Sequence, residues 1–320
     1  MSGKGIKNVF GGGAINPPRG FGDPKLLEEQ AFPVLLEGDC KTIDTAALYG
    51  QSETILGQVG AGKHFTLDTK MKGGFGGPGH ATKAKVIEEA ENSQKLLGTT
   101  VDIYYIHAPD GDTDIAETLA GINEVHKKGF FKRFGLSNYQ AKDVRKVYEH
   151  CEKHGYVKPS VYQGNYSAVA RKQEEVLFPT LRELGIAFYA YSPIAGGFLT
   201  KTKQDIADGK GRFDVNGPLG DMYASMYGRP KLLEALEKWA DIAKEEGVSK
   251  ADLAYRWVKY NSPLSSKHGD AIIIGASSVE QLKQTLDTIS KGPLSDKAAK
   301  RIDELWDGIK EDAPLDNYHR

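Results

Sequence analysis

The sequence predicts an α/β protein: a closed (β/α)8 TIM barrel with a long loop after the seventh strand and a C-terminal helical tail. Three observations carry that prediction. Short β-branched or aromatic runs alternate with longer amphipathic stretches almost to the end of the chain, the order expected of parallel strands joined by helical crossovers. Eight such runs can be counted, and 320 residues match the ~250 of such a barrel plus insertions. The rival is a doubly wound open sheet, which needs a glycine fingerprint between the first strand and helix. Gly11-Gly12-Gly13 is followed instead by Ala14-Ile15-Asn16, without the required spacing. No linker composition or internal repeat interrupts the chain, so residues 1–320 are read as one domain.

The strands are expected, in order, at Lys7–Phe10, Thr42–Asp44, Phe65–Thr69, Asp102–His107, Phe131–Leu136, Val161–Gln163, Ile186–Tyr191 and Ala271–Ile274. The clearest helical patterns between them are Gln51–Val59, Lys83–Leu97, Ile115–Lys127, Ala141–His154, Arg171–Leu184 and Val279–Ile289. An earlier one, Pro24–Leu36, has Asp23 as a cap and Pro24 at the first helical position, but Pro33 should kink or end it. Surplus length collects in Ala195–Arg229, rich in Gly, Asp and Tyr, and in the tail from Lys291, with a helical pattern near Asp296–Ile309.

Charge narrows the class further. Lys plus Arg total 42 against 43 Asp plus Glu, a net charge of -1, which excludes the broad basic field of sequence-independent nucleic-acid binding. Two cysteines, Cys40 and Cys151, make no disulfide framework. No apolar run reaches the ~20 residues of a membrane span, and the N-terminus lacks a basic-then-apolar leader pattern. A cytoplasmic protein without nucleic-acid or membrane partners is the expectation. Glycine is in surplus: 37 residues, where ~7% of the chain is usual. The glycines have no short period, so tight loops are the better reading.

One near-motif is a decoy. Gly57, Gly62 and Lys63 approach a phosphate-binding P-loop, but His64 stands where Ser or Thr must hold magnesium, and the stretch leads from helix to strand. The glycines Gly73, Gly74, Gly76, Gly77 and Gly79 read as a flexible loop after the third strand.

The informative feature is where ionisable residues fall relative to strand ends, since barrel chemistry gathers at the C-terminal ends of the strands. Asp44 closes the second strand, Tyr49 follows in its loop, Lys70 closes the third and His107 the fourth. Singly, each has an ordinary role as helix cap, packing ring, loop lysine or core histidine. Jointly they form a proton donor. A phenol titrates near ~10, an adjacent ammonium favours the phenolate and strengthens the acid, a carboxylate orients the ammonium, and an imidazole aligns a carbonyl oxygen. Such a set protonates the oxygen of a carbonyl while something else attacks its carbon.

The segments Asp44-Thr-Ala-Ala-Leu-Tyr49-Gly-Gln-Ser-Glu53, Leu67-Asp-Thr-Lys70, Tyr104-Tyr-Ile-His107-Ala-Pro-Asp110, Phe134-Gly-Leu-Ser137-Asn138-Tyr139 and Ala190-Tyr191-Ser192-Pro193-Ile-Ala-Gly196-Gly197 resemble the aldo-keto reductase superfamily. The wording around His107, around Gln163 and at the tail is most similar to its aflatoxin-aldehyde reductase branch. The resemblance implies Tyr49 as general acid, Lys70 as its partner, Asp44 paired with Lys70, and His107 orienting the carbonyl. The attacker it implies is hydride from a nicotinamide cofactor, NADPH ahead of NADH, with no metal. Ser137, Asn138 and Gln163 match carboxamide-holding positions, Tyr191 the ring stacked on the nicotinamide, and Ser192, Ile194 and Gly196 the loop along the pyrophosphate.

The last cofactor segment holds Gly275, Ser277, Ser278, Gln281, Gln284 and Thr285. Serines at a helix start expose donors toward an anion. Many relatives carry a cation here, but Gly275, Ala276 and Gln281 take those places, and Thr285 stands where Asn is frequent. The pyrophosphate lysine is shifted, leaving Lys201 or Lys203 for that role. The expected partner is a small carbonyl compound, aromatic or dicarbonyl, met by Tyr49, His107 and Tyr227, with Arg229 or the terminal Arg320 available to a carboxylate. Met222, Tyr223, Met226 and Tyr227 mark one apolar face of a short helix, for packing or for a pocket. The branch also suggests a homodimer. Two other classes stay open: a non-catalytic, cofactor-sensing subunit of a larger assembly, and a Schiff-base aldolase using Lys70.

Overall fold

Eight parallel strands close on themselves in sequence order, each hydrogen-bonded to the next and the last to the first. They are β1 Lys7–Gly11, β2 Thr42–Asp44, β3 Thr66–Met71, β4 Val101–Ile106, β5 Phe131–Ser137, β6 Pro159–Asn165, β7 Ala187–Tyr191 and β8 Ala271–Ile274. The computed structural model describes residues 5–17, 20–217 and 219–319. The substrate expectation placed on Arg320 lies outside the described residues. No helix among them is long and apolar enough to cross a membrane.

Alternation along the strands builds two separate cores. Val9, Ile103, Tyr105, Val161, Ala187, Tyr189, Ala271 and Ile273 point inward and fill the barrel. Their neighbours, such as Phe10, Ile43, Leu67, Tyr104 and Phe188, point outward into the shell of helices. The same alternation brings Asp44, Asp68 and Lys70 inside: on β3, Leu67 and Met71 join the outer core, Thr69 on their face bonds Glu53, and Asp68 and Lys70 face the axis.

Most elements fall within a residue or two of expectation, and three places depart. Pro33 neither ends nor visibly breaks the first helix. A π turn, Leu27–Ala31, separates Pro24–Leu26 from Phe32–Glu37. The wider turn removes the i−4 carbonyl that the proline ring would strike, and Pro33 becomes the second residue of a new helical segment. Arg171–Leu184 is two helices, Gln173–Val176 and Phe178–Glu183. There Pro179 cannot donate to an earlier carbonyl, and the helix breaks at Leu177. The helices Pro230–Glu246 and Lys250–Arg256, between β7 and β8, complete the barrel where the alternation was hardest to follow.

The glycine run after β3 is also ordered. Gly73–Gly76 form a 3-10 turn. Gly73 has φ 54°, and a Cβ there would run into the carbonyl oxygen of Ala108. The loop after β3 therefore lies against the loop after β4, a close approach that needs glycine.

Candidate active site

Lys70 organises the mouth. It is 0% exposed, and its Nζ donates to Asp44 Oδ2 at 2.6 Å and to the Thr45 carbonyl at 2.7 Å. Gln163 Nε2 holds the other oxygen of Asp44 at 3.0 Å. Burial works against the ammonium, but Asp44 and Tyr49 outweigh it, so the Lys70 pKa is raised and the side chain stays charged. Asp44 is pushed upward by burial and pulled back by Lys70 and Gln163. With hydrogen bonds on both its oxygens, Asp44 is the anion of the pair.

Tyr49 lies in the turn after β2, where its N–H bonds the carbonyl of Ala46. Lys70 Nζ is 5.1 Å from the centroid of its ring. Burial holds the phenol pKa above the usual tyrosine value, and the Lys70 charge is the largest influence pulling it back down. His107 follows β4 directly. Its ring meets Tyr49 edge-on, centroids 5.8 Å apart, and meets Phe75 at 5.1 Å. Burial and the Lys70 charge hold its pKa well below the usual histidine value, so the imidazole is neutral, and Nδ1 is buried without a partner among the described residues. Asp44, Tyr49, Lys70 and His107 are thus in one place.

Beside them, Asn138 donates to the His107 carbonyl at 2.8 Å and to Ser137 Oγ at 3.2 Å. Its φ of 60°, like 57° at Ser192 and 52° at Ala195, is a left-handed conformation rare outside glycine. All three lie just past the ends of β5 and β7, where a strained backbone aims groups into the mouth. Tyr191 donates to Asn138 Oδ1 at 3.2 Å and to Asn317 Oδ1 at 2.8 Å. Ile194 and Gly196 follow in the same loop. Gly196 has φ 65°, and a side chain there would strike the Tyr223 ring.

Past β8, Gly275 is exposed with open space before it. Ser278 caps the helix Val279–Ser290, accepting from Gln281 N–H at 3.2 Å. Gln281 turns back to accept from Ser277 N–H and Oγ at 2.7 and 2.8 Å. Gln284 is exposed and donates to Glu280, whereas Thr285 is buried beneath the helix. Lys203 is taken by Glu237 at 2.8 Å. Lys201 has no acidic partner among the described residues and lies beside Gly211.

The long loop carries Gly220–Tyr227 as a helix. Tyr227 is 0% exposed, stacked on Phe198 at 5.2 Å and held by Asn165 at 3.5 Å, so the packing role of that apolar face is the one seen. Arg229 is exposed, and its guanidinium donates to the Asp312 carbonyl of the tail at 2.8 Å.

Four residues at the mouth escaped the sequence reading. Phe75 joins His107 to Tyr318, ring centroids 5.4 Å from the latter. Tyr318 donates to the Pro109 carbonyl at 2.8 Å, and Asn317 meets Tyr191. Arg212 packs over the Tyr223 ring at 5.4 Å and is close enough to pull on the Tyr49 and Tyr255 phenols. The glycines flanking Phe75 were the one available signal. A tail folding back over the mouth has no local signature.

A barrel whose strand ends gather a carboxylate-bound lysine, a phenol and a neutral imidazole belongs to a recognised class. Residues 28–307 match the model of the aldo/keto reductase family, and the chain belongs to that family. Among its relatives, "Oxidoreductase sirO" of Leptosphaeria maculans is 39% identical, covering 91% of this chain and 89% of its own length. Human "Aflatoxin B1 aldehyde reductase member 2" is 38% identical over 91% of this chain and 84% of its own. "Aldo-keto reductase MYCFIDRAFT_156381" of Pseudocercospora fijiensis is 37% identical over 85% and 95%. Family members are oxidoreductases that act on small carbonyl compounds with nicotinamide cofactors.

Proposed function

We propose that the protein is an NADPH-dependent carbonyl reductase in which Tyr49 donates the proton. One observation carries the reading: the Tyr49 phenol has beside it a buried ammonium that cannot leave its charge, and across from it a neutral imidazole. A reduced nicotinamide bound at the mouth would supply the hydride. A substrate carbonyl oxygen bound between Tyr49 and His107 accepts a hydrogen bond from each. As negative charge develops there, the phenol proton moves to it, and Lys70 stabilises the phenolate left behind. Asp44 holds Lys70 in place, and Gln163 holds Asp44. A Schiff-base aldolase needs the opposite, a neutral amine, and the raised pKa of Lys70 opposes it.

Several features fit the cofactor. Ser137, Asn138 and Gln163 present amide and hydroxyl groups at the ends of β5 and β6, and Tyr191 offers a ring at the end of β7. The helix start at Ser277 and Ser278 follows Gly275, which has open space before it, and release of the Ser277 N–H and hydroxyl from Gln281 would present them to an anion. Lys201, free of acidic partners, is preferred to Lys203 for the pyrophosphate. Arg212, close enough to pull on the Tyr255 phenol that donates to the Gly275 carbonyl, is a cation beside the positions 275, 276 and 281 that carry none, which supports NADPH over NADH. Substrates are expected among aromatic and dicarbonyl compounds. A cytoplasmic location and a homodimer belong to the same reading. The first rests on a near-neutral chain with two buried, unpaired cysteines, and the second on family likeness alone.

A panel of aliphatic, aromatic and dicarbonyl substrates, followed by nicotinamide absorbance with NADPH and with NADH, tests class, cofactor and breadth together. Oxidation of NADPH with aromatic or dicarbonyl members is expected. Oxidation of neither cofactor by any of them would sink the reading.

A further inference from the structure

The tetrad leaves one buried carboxyl without a role. Asp68 precedes Lys70 by two residues on β3, so both side chains leave the same face of the strand. Its partner across the β2–β3 ladder is Asp44, and strands so paired run about 4.8 Å apart. The barrel therefore carries two carboxyls side by side, beside the Lys70 ammonium. Asp44 uses both oxygens as an anion does, with Lys70 on one and Gln163 on the other. Asp68 does not. Its Oδ1 accepts only the Ile103 N–H, at 3.1 Å, while Oδ2 is buried with no hydrogen-bond partner among the described residues, and the residue is 0% exposed. An unpaired charge in such a place is costly, whereas a neutral acid is tolerated.

We propose that Asp68 is held as a neutral carboxylic acid behind the tetrad, a positioning residue whose bound proton keeps the positive charge of Lys70 available to Tyr49. The proposal rests on the reductase reading of the site. The groups around it leave the proton no better place. From β2 comes Asp44, already bonded to the cation, and from β3 Lys70 itself. β4 contributes Tyr105, whose buried hydroxyl lies beside Gln163 with no close hydrogen bond among the described residues, and Asp102. β5 contributes Arg133, committed to Asp102 at 2.7 Å and to the Tyr189 hydroxyl of β7 at 3.2 Å. β1 contributes Lys7, which reaches Tyr189 at 3.5 Å. Neither of these two cations bonds Asp68. Two adjacent carboxyls in a dry site do not both ionise, so the anion is Asp44 and the acid is Asp68. Burial, followed by the Asp44 charge, raises the Asp68 carboxyl from 3.8 to about 8.

When that proton is lost to solvent, a second negative charge offsets the field of Lys70. The phenolate formed as Tyr49 donates is then less stabilised, and the donor weakens. Folding is linked to the same proton. Between pH 3.8 and about 8 the folded chain keeps it and the unfolded chain has released it, so the contribution to stability is full below 3.8 and is lost as pH rises to about 8.

Asp68→Asn in the full chain tests this, since the amide is a permanently neutral isostere. In the absence of substrate and cofactor, the melting temperature of the wild type should fall across that window, and Asp68→Asn should lack that part of the slope. In turnover, wild-type kcat for reduction should drop several-fold as pH passes about 8. Asp68→Asn should match wild type near pH 6.5 and not show the drop. Identical slopes in wild type and variant, for stability and for kcat, overturn the proposal. If the wild type turns over no carbonyl, the reductase reading fails, while the melting curves still decide where the proton is. If Asp68→Asn does not fold, infrared spectra of the wild type decide instead. A protonated-carboxyl stretch should be present at neutral pH and vanish above about 8. It should persist in Glu53→Gln, which removes another buried carboxyl that has no bonded lysine or arginine among the described residues. Absence of that band at neutral pH overturns the proposal.

Discussion

The two sides of the barrel mouth are built by different means. On the β2–β4 side, Asp44, Lys70 and His107 stand at or beside strand ends, with Asp44 and Lys70 buried in a network of short bonds. On the β7 side, the loop and tail meet through a few contacts, Tyr191 with Asn317 and Arg229 with the Asp312 carbonyl, and the tail reaches across to the loop after β4 through Tyr318 and the Pro109 carbonyl. Groups that must hold a charge to within tenths of an ångström are mounted on the sheet. On the proposed reading, groups that sort substrates are mounted on segments that can vary without disturbing it. Mutations on the two sides should therefore differ in kind: loss of chemistry and fold on one, altered substrate preference on the other.

The largest effect belongs to the proposed proton donor. Tyr49→Phe keeps the ring against His107 and removes only the hydroxyl. Turnover should fall by ~10²–10⁴-fold, with cofactor affinity, read by fluorescence titration, unchanged. Wild-type kcat in this variant would remove Tyr49 from the mechanism. Lys70→Met comes next and acts on two properties at once. It strands Asp44 as an uncompensated buried charge, which should cost roughly 3–5 kcal/mol in denaturant unfolding. Adding Asp44→Asn should recover much of that stability but none of the turnover. Recovery of turnover in the double variant would mean that Lys70 serves only the fold.

The same division governs what could be read from the chain. The Asp44–Tyr49–Lys70–His107 set was legible because the residues are tied to strands, and strand ends in a barrel have a known destination. The β strands were legible for the same reason, their alternation being set by two cores. The Gly-rich run after β3 read as flexible because glycine permits many conformations. Its single ordered one depends on a contact with the Ala108 carbonyl, nonlocal and invisible in a window. Pro33 and Pro179 are chemically alike, yet one is absorbed by a π turn and the other splits a helix; packing of the surrounding turns decides. Asn317 and Tyr318 follow a helix by several residues and return to the mouth, so no periodicity could announce them. Arg212 lies in the same blind region. The charge at Asp68 was visible in the chain, but its meaning was not. That required the register that puts it beside Asp44.

The smallest effect sharpens the comparison most, because two explanations of one residue predict different patterns. Arg229 is exposed, and its guanidinium is engaged by a backbone carbonyl of the tail and not by a carboxylate. If it serves as a charge for acidic substrates, Arg229→Ala should raise KM several-fold for carboxylate-bearing aldehydes and leave neutral aromatic aldehydes untouched. If it serves as an anchor for the tail, KM should rise for both kinds of substrate by a similar few-fold factor. The tail bearing Asn317 and Tyr318 would then loosen, and Tyr318→Phe should reproduce part of the change. In both cases kcat and stability should stay near wild type, since neither the Lys70 network nor the barrel is touched. The hydrogen bond to Asp312 favours the anchor, and a paired KM measurement on a matched carboxylate and neutral aldehyde checks it. A kcat loss comparable with that of Lys70→Met would erase the division between the two sides, because it would place chemistry on the loop.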